Sequence, residues 1–198
     1  PNISRLLDGG TDKHGHPYLV MEYVKGIPIT QYCDEHHLNI QQRCHFILQL
    51  CDALSYAHGN LIIHRDIKPS NVLIDANGAL KLLDFGIAVL LDQQHDVEIP
   101  LTPRYASPEQ LQGKVCTVAS DIYSLGLVAH ETICGYLPDS RAEHAKKKGQ
   151  FNQPQRLTPW LNKDLSCILQ KALAPDPDQR YLSVSELASD IRACLSHK

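Results

Sequence analysis

His64-Arg65-Asp66-Ile67-Lys68-Pro69-Ser70-Asn71 lies between two short apolar runs, Leu61 to Ile63 before it and Val72 to Ile74 after it. Each run is bounded and rich in branched residues, so each reads as a buried strand. A dense polar loop set between two core segments needs a chemical reason. Downstream, Asp75-Ala76-Asn77-Gly78 leads into Leu80 to Leu83, and Asn-Gly between hydrophobic runs signals a hairpin because both residues tolerate φ > 0. With Asn77 and Gly78 as the two central turn residues, Ile74 is expected opposite Lys81 and Asn71 opposite Asp84, with Cβ atoms roughly 4.5 to 5.5 Å apart. An amide oxygen and a carboxylate so placed, with Asp66 upstream and Lys68 between, make a hard oxygen site suited to Mg²⁺ carrying phosphate.

On these residues the chain resembles the eukaryotic-like (Hanks-type) serine/threonine protein kinases. His64 to Asn71 is similar to their catalytic loop, Asp84-Phe85-Gly86 to their magnesium triplet, and Ser107-Pro108-Glu109 to the end of their substrate loop, with Ser in place of the usual Ala. A lone DFG triplet is weak. The same triplet in order with HRDIKPSN, SPE, Asp121-Ile122-Tyr123-Ser124-Leu125-Gly126 and Arg180 is specific, and the resemblance covers essentially the whole chain. The stretches LLDGGTD (Leu6 to Asp12), Tyr32-Cys33-Asp34 and LTPRYASPEQ (Leu101 to Gln110) look more like bacterial members than animal ones.

The resemblance implies a set of roles. Phosphoryl transfer asks a protein chiefly for positioning, a carboxylate to orient the attacking hydroxyl, and positive charge on the transferred group. Asp66 is the candidate base, Lys68 the cation on the γ-phosphate, and Asn71 with Asp84 the holders of Mg²⁺ beneath ATP. Lys68 further implies Ser or Thr hydroxyls of protein substrates as acceptors. The backbone of Glu22 and Val24 would hydrogen-bond adenine in a hinge running Met21-Glu22-Tyr23-Val24, with Met21 guarding the back of the pocket and Leu73 under the ring. His64, Phe85 and Leu6 would stack in an internal hydrophobic column. Thr102 would hydrogen-bond Asp66 and Lys68, Asp121 would hold the backbone around His64 and Arg65, and Glu109 would form a partly buried ion pair with Arg180. Taken without the resemblance, Tyr18 to Val24 reads as an edge strand and linker, Asp66 as a turn-capping carboxylate, and Asp121 as a helix N-terminal charge.

Other family parts are missing from these residues. No GxGxxG and no VAIK-like run occurs in the chain, which opens on Pro1. The expectation is a fragment: residues 1–25 the end of a small lobe and its hinge, residues 26–198 a mainly α large lobe with a short β-hairpin at the catalytic loop. The isolated fragment is then expected to be inactive, because the absent lobe supplies half of the nucleotide clamp. The rival class is a pseudokinase or scaffold lobe that acts by binding proteins; the intact Asp66, Lys68, Asn71 and Asp84 weigh against it.

Composition fits one domain or one large lobe: 198 residues, 43% hydrophobic, enough for one sizeable core. A net charge of −3 offers no basic field for nucleic acid. Seven cysteines without a CxxC pair read as reduced core thiols. Of the eleven histidines, His14-Gly15-His16 and His36-His37 lack the partners of a zinc site. No apolar run reaches a membrane span, so a cytoplasmic domain is expected, in a parent either free or membrane-tethered.

Along the chain, Pro1 to Asp8 and Tyr18 to Val24 are expected as strands joined by the turn-rich Asp8 to Pro17. Thr30 to His37 is expected as a short helix. The next helix is capped by Asn39 with Gln42 and buries Ile40, Cys44, Ile47, Cys51, Leu54 and His58 as one stripe, with His58 read as a core-edge residue. Ala119-Ser120-Asp121 opens a helix to about Cys134, stopped by Gly135. Leu165, Ile168, Leu169, Ala172 and Leu173 form an amphipathic helix stopped by Pro175, and Ser183 with Glu186 caps a last one carrying Leu187, Ile191 and Leu195. Lys146-Lys147-Lys148 reads as a solvated face. Between Gly86 and Leu101 there is no Ser, Thr or Tyr, so Arg65, which in the family type gathers an activation-loop phosphate, is expected to meet Asp96 or Glu98 instead.

Overall fold

A computed structural model describes residues 2–83, 103–138 and 163–196. Its elements in chain order are β1 (Leu6–Thr11), β2 (Pro17–Met21), β3 (Gly26–Pro28), α1 (Ile29–Glu35), α2 (Ile40–Gly59), β4 (Val72–Asp75), β5 (Leu80–Leu82), α3 (Pro108–Leu111), α4 (Val118–Cys134), α5 (Lys163–Ala172) and α6 (Val184–Ser196). The architecture is mainly α, with one two-stranded and one three-stranded sheet.

The core lies between α2, α4 and α6. Asn39 caps α2 through the expected box, its side chain accepting from Gln42 N while Gln42 Oε1 accepts from Asn39 N. Cys44, Ile47, Cys51 and Leu54 are fully buried along the predicted stripe, joined by Leu50. Removing one such leucine or isoleucine side chain from water contributes about 1.5–3 kcal/mol. α4 starts at Val118 behind Thr117, slightly earlier than the sequence suggests, and stops at Gly135 in the left-handed conformation. α5 buries Leu165, Ile168, Leu169 and Ala172. Ser183 Oγ accepts from Glu186 N at the start of α6, whose buried face is Val184, Leu187, Ala188, Ile191 and Cys194.

Leu61 to Ile63, expected as a buried strand, forms none, and Leu61 is 94% exposed; three further local expectations are corrected. The first hairpin is shifted toward its turn: β1 starts only at Leu6 and runs through Gly9 and Gly10, which face Leu19 and Tyr18 across the pair, and β2 ends at Met21, short of the expected Val24. The cross-strand side chains lie over the glycines, so a Cβ on Gly10 would sit 2.9 Å from Tyr18 Oη. The turn tightens around Asp12, whose Oδ1 accepts from the backbone of His14 and His16. Second, Gly26–Pro28 forms an unexpected strand on β4, an approach so close that a Cβ on Gly26 would stand 2.6 Å from Ile74 O.

The third correction concerns the central hairpin. β4 and β5 pair Val72 with Leu82, Leu73 with Lys81 and Ile74 with Leu80, one residue out of the expected register. Asp75 is the reason: its N–H donates to Ala79 O and its carbonyl accepts from Gly78 N, while its Oδ1 accepts from Asn77 N and Ala79 N. Only Gly78 takes positive φ (76°), and Asn77 does not. The loop is therefore a three-residue turn closed by a left-handed glycine, the commonest alternative to a two-residue Asn-Gly turn. Asn71 consequently faces Leu83, whose N–H donates to Asn71 O. Asp84, Phe85, Thr102, Asp96, Glu98 and Lys146 to Lys148 lie outside the described residues.

Candidate active site

The loop from Ile63 to Asn71 is held from below by one buried carboxylate. Asp121, in the first turn of α4, is 1% exposed. Its Oδ2 accepts from His64 N at 2.8 Å and lies 2.8 Å from His58 Nε2, while Oδ1 accepts from Arg65 N at 2.9 Å. Burying a charge is costly unless hydrogen bonds satisfy it, and this carboxylate is satisfied by the two N–H groups whose direction it sets. Arg65 adopts φ 70°, a left-handed conformation that a residue carrying a Cβ enters only against strain. Gln110 Nε2 donates to Arg65 O at 2.8 Å, so both polar groups of this strained peptide unit are fixed.

His64 is buried, its Nε2 2.9 Å from Leu83 O, and its Nδ1 accepts from Asp66 N at 3.3 Å. The ring therefore links the catalytic-loop backbone to the residue that follows β5. Leu6, expected in a column with it, is exposed along with the rest of β1.

Above this base stand the polar side chains. Lys68 Nζ lies 2.6 Å from Asp66 Oδ2, both side chains being partly open to solvent. Asn71, in the short 3₁₀ turn Pro69–Asn71, donates from Nδ2 to Asp66 O at 2.9 Å and to Asp66 Oδ2 at 3.3 Å. Those bonds fix the amide, so its Oδ1 is directed away from Asp66. A fixed amide oxygen is the kind of hard donor that an oxygen-seeking cation such as Mg²⁺ prefers. No cluster of three or more His, Cys, Asp or Glu forms a metal site among the described residues. Leu73 is half-buried on the face of β4 opposite Val72 and Ile74.

Just beyond β2, Glu22 N donates to Arg5 O at 2.9 Å, and Lys81 Nζ reaches Glu22 Oε1 at 2.7 Å. Tyr23 beside it is exposed.

Behind the substrate-loop side, Ser107 caps α3 with Gln110, and Glu109 meets Arg180 in a two-pronged pair at 2.7 and 2.9 Å. Arg180 also donates to Ala174 O, Ala119 O and Pro175 O and lies over the Tyr123 ring. Burial alone would raise the Glu109 carboxyl. The bonds from Arg180, its own backbone region and Ser120 Oγ outweigh that and hold it at about 2.

Three of these contacts escaped sequence reasoning. His58 was read as core edge but bonds Asp121; Gln110 joins α3 to Arg65; Lys81 joins β5 to the hinge. The Ser107-x-x-Gln110 spacing does carry a capping signature that exposes α3. The other two partners are far apart in sequence and leave no local trace.

Residues 1–194 match the family model for the protein kinase domain, and the chain belongs to that family. Among its curated relatives are bacterial serine/threonine kinases. It is 36% identical over 201 residues to the serine/threonine-protein kinase PrkC of Bacillus subtilis (strain 168), covering 97% of this chain and 31% of that protein. It is 35% identical over 205 residues to a probable serine/threonine-protein kinase PknB of Lactococcus lactis subsp. lactis (strain IL1403), covering 99% and 32%. With the serine/threonine-protein kinase PknB of Mycobacterium tuberculosis (strain ATCC 25618 / H37Rv) it shares 35% over 186 residues, covering 88% and 30%. The chain thus spans about a third of the length of these relatives. No helix among the described residues is long and apolar enough to cross a membrane.

Proposed function

We propose that these residues are the hinge and large lobe of a protein kinase that transfers the γ-phosphoryl group of ATP to Ser or Thr hydroxyls of protein substrates. Residues 1–25 are then the end of the small lobe with the hinge, and residues 26–198 the large lobe. The observation that carries the reading is the Asp66-Lys68-Asn71 cluster, in which Lys68 and Asn71 each stand within hydrogen-bond reach of the Asp66 carboxylate on a loop locked by Asp121. Family membership supports the same chemistry.

Asp66 would accept a hydrogen bond from the substrate hydroxyl and aim its oxygen. Lys68 holds positive charge next to that carboxylate, where a transferred phosphoryl group needs it. Bound Mg²⁺ and ATP would supply the transferable group and neutralise its charge, with Asn71 and Asp84 as the metal holders and the Glu22 carbonyl, Val24 and Leu73 around adenine. Thr102 is assigned to the substrate side of Asp66. The glycine-rich loop and strand lysine of the family do not occur in residues 1–198, so turnover belongs to a protein in which a small lobe supplies them. Seven cysteines with no CxxC pair, Cys33 and Cys51 among them buried as thiols, support a reducing, cytoplasmic setting.

The test is phosphate transfer from labelled ATP to a protein substrate by the full-length protein, compared with Asp66→Asn. We expect the variant to lose about 10²–10⁴-fold in kcat with an unchanged melting temperature. Equal rates would remove Asp66 from the mechanism. A wild-type protein that binds partners but transfers nothing would replace the kinase reading by a scaffold.

A further inference from the structure

We propose that Lys81 is a nucleotide-positioning residue: by clamping the Glu22 carboxylate it fixes the hinge relative to the strand that carries Leu73, and so sets the affinity for ATP without touching it. This deepens the kinase reading above and rests on it.

The argument begins with the hairpin register. Because the β4–β5 turn has three residues, Lys81 falls directly opposite Leu73, and directly opposed residues share a face of the sheet. Val72, Ile74, Leu80 and Leu82 take the buried face, which leaves Leu73 and Lys81 side by side on the other. In the register expected from Asn77-Gly78, Lys81 would have stood opposite Ile74 and faced the core.

From that position Lys81 Nζ reaches Glu22 Oε1 at 2.7 Å, with both side chains about four-fifths shielded from solvent. Arg5 approaches the second oxygen at only 3.5 Å and is 81% exposed. Lys81 is therefore the closer and better shielded cation. The hydrogen bond from Lys81 is also the foremost influence holding the Glu22 carboxyl below its usual range.

The backbone closes a circuit around the same point. Leu82 N donates to Asn2 O and Ser4 N to Leu82 O, while Glu22 N donates to Arg5 O. The hinge is thus joined to β5 twice, once through residues 2–5 and once through the Lys81 side chain. The backbone arm fixes where the hinge strand runs. The side-chain arm restrains the segment just beyond β2, where Glu22 and Val24 present their backbone and Tyr23 is exposed. Opening that arm leaves the Leu73 pairing intact, because strand pairing uses only main-chain groups.

The test uses the full-length protein and the variants Lys81→Met, Lys81→Arg, Glu22→Gln and Lys81→Met/Glu22→Gln. Methionine keeps the apolar stem and removes the charge. For Lys81→Met we expect KM for ATP and the Kd of a fluorescent ATP analogue to rise about two- to fivefold, the effect of losing a partly shielded ion pair. The variant should keep the wild-type kcat and protein-substrate KM. Lys81→Arg should restore most of the affinity, and the double variant should be no weaker than either single one. Unchanged nucleotide affinity in Lys81→Met, or additive losses in the double variant, would overturn the clamp. So would a lowered melting temperature with affinity unchanged, which would make the pair merely structural. The wild-type protein keeps the two readings apart: no phosphate transfer from it would overturn the kinase reading, whereas the binding titration reports on the clamp independently of turnover.

Discussion

Replacing Arg180 by alanine is expected to destabilise the fold more than most single changes. Arg180 is 3% exposed and makes five hydrogen bonds, two to Glu109 and one each to Ala174 O, Ala119 O and Pro175 O. The truncation leaves the buried Glu109 carboxylate with Ser120 Oγ as its remaining side-chain donor. Three carbonyls at the α4 start and the α5 exit also lose their donor. Stranding one member of a buried pair costs about 3–5 kcal/mol. At a urea slope near 2 kcal/mol/M this lowers the unfolding midpoint by about 1.5–2.5 M. The pH dependence gives an independent check. Glu109 is held at about 2 in the folded protein, against 4.5 ordinarily, so its contribution is complete above about pH 4.5 and disappears as pH falls toward 2. In Arg180→Ala the burial is offset only by Ser120 and the local backbone, the folded carboxyl rises toward or past its unfolded value, and acidification relieves the penalty. The stability gap between wild type and variant should therefore be widest at neutral pH and narrow on the way to pH 4. Urea titrations at pH 7, 5.5 and 4, followed by circular dichroism, measure it. An unchanged midpoint, or a gap independent of pH, would refute the buried-pair reasoning.

Further outcomes follow from other contacts. Asp121→Asn puts one acceptor oxygen where two oxygens now serve His64 N, Arg65 N and His58 Nε2. We expect kcat to fall by about a hundredfold through misplacement of Asp66, with faster amide exchange at Arg65; wild-type exchange there would argue against this. Gly26→Ala forces a Cβ to within 2.6 Å of Ile74 O and should cost about 1–3 kcal/mol, read as a lower melting temperature. Gly78→Ala imposes φ 76° on a residue with a side chain and should cost about 1–2 kcal/mol, whereas Asn77→Ala, lacking that constraint, should cost less. If Asn77→Ala were the worse of the two, the three-residue turn would be wrong.

Sequence alone determined the elements whose signal is local. The Asn39-x-x-Gln42 box, the alternating stripe through Cys44, Ile47, Cys51 and Leu54, and the Gly135 stop each act within one or two turns of helix, so residue order suffices to read them. The polar loop was legible for a similar reason: Asp66, Lys68 and Asn71 occupy one short segment, and their contacts are made within it. Tertiary structure decided the rest. The register of the central hairpin turned on the Asp75 side chain, which accepts from two backbone N–H groups and so favours a three-residue loop over the Asn-Gly turn. That single step moved Asn71 opposite Leu83 and turned Lys81 from the core toward the hinge. Of the supports of the loop, Asp121 with His58 joins two helices, and Gln110 with Arg65 joins a helix to the loop itself. A satisfied buried carboxylate and an exposed helix-capping one have the same letter in the sequence; only packing, which removes water from Asp121 and brings backbone N–H groups to it, distinguishes them.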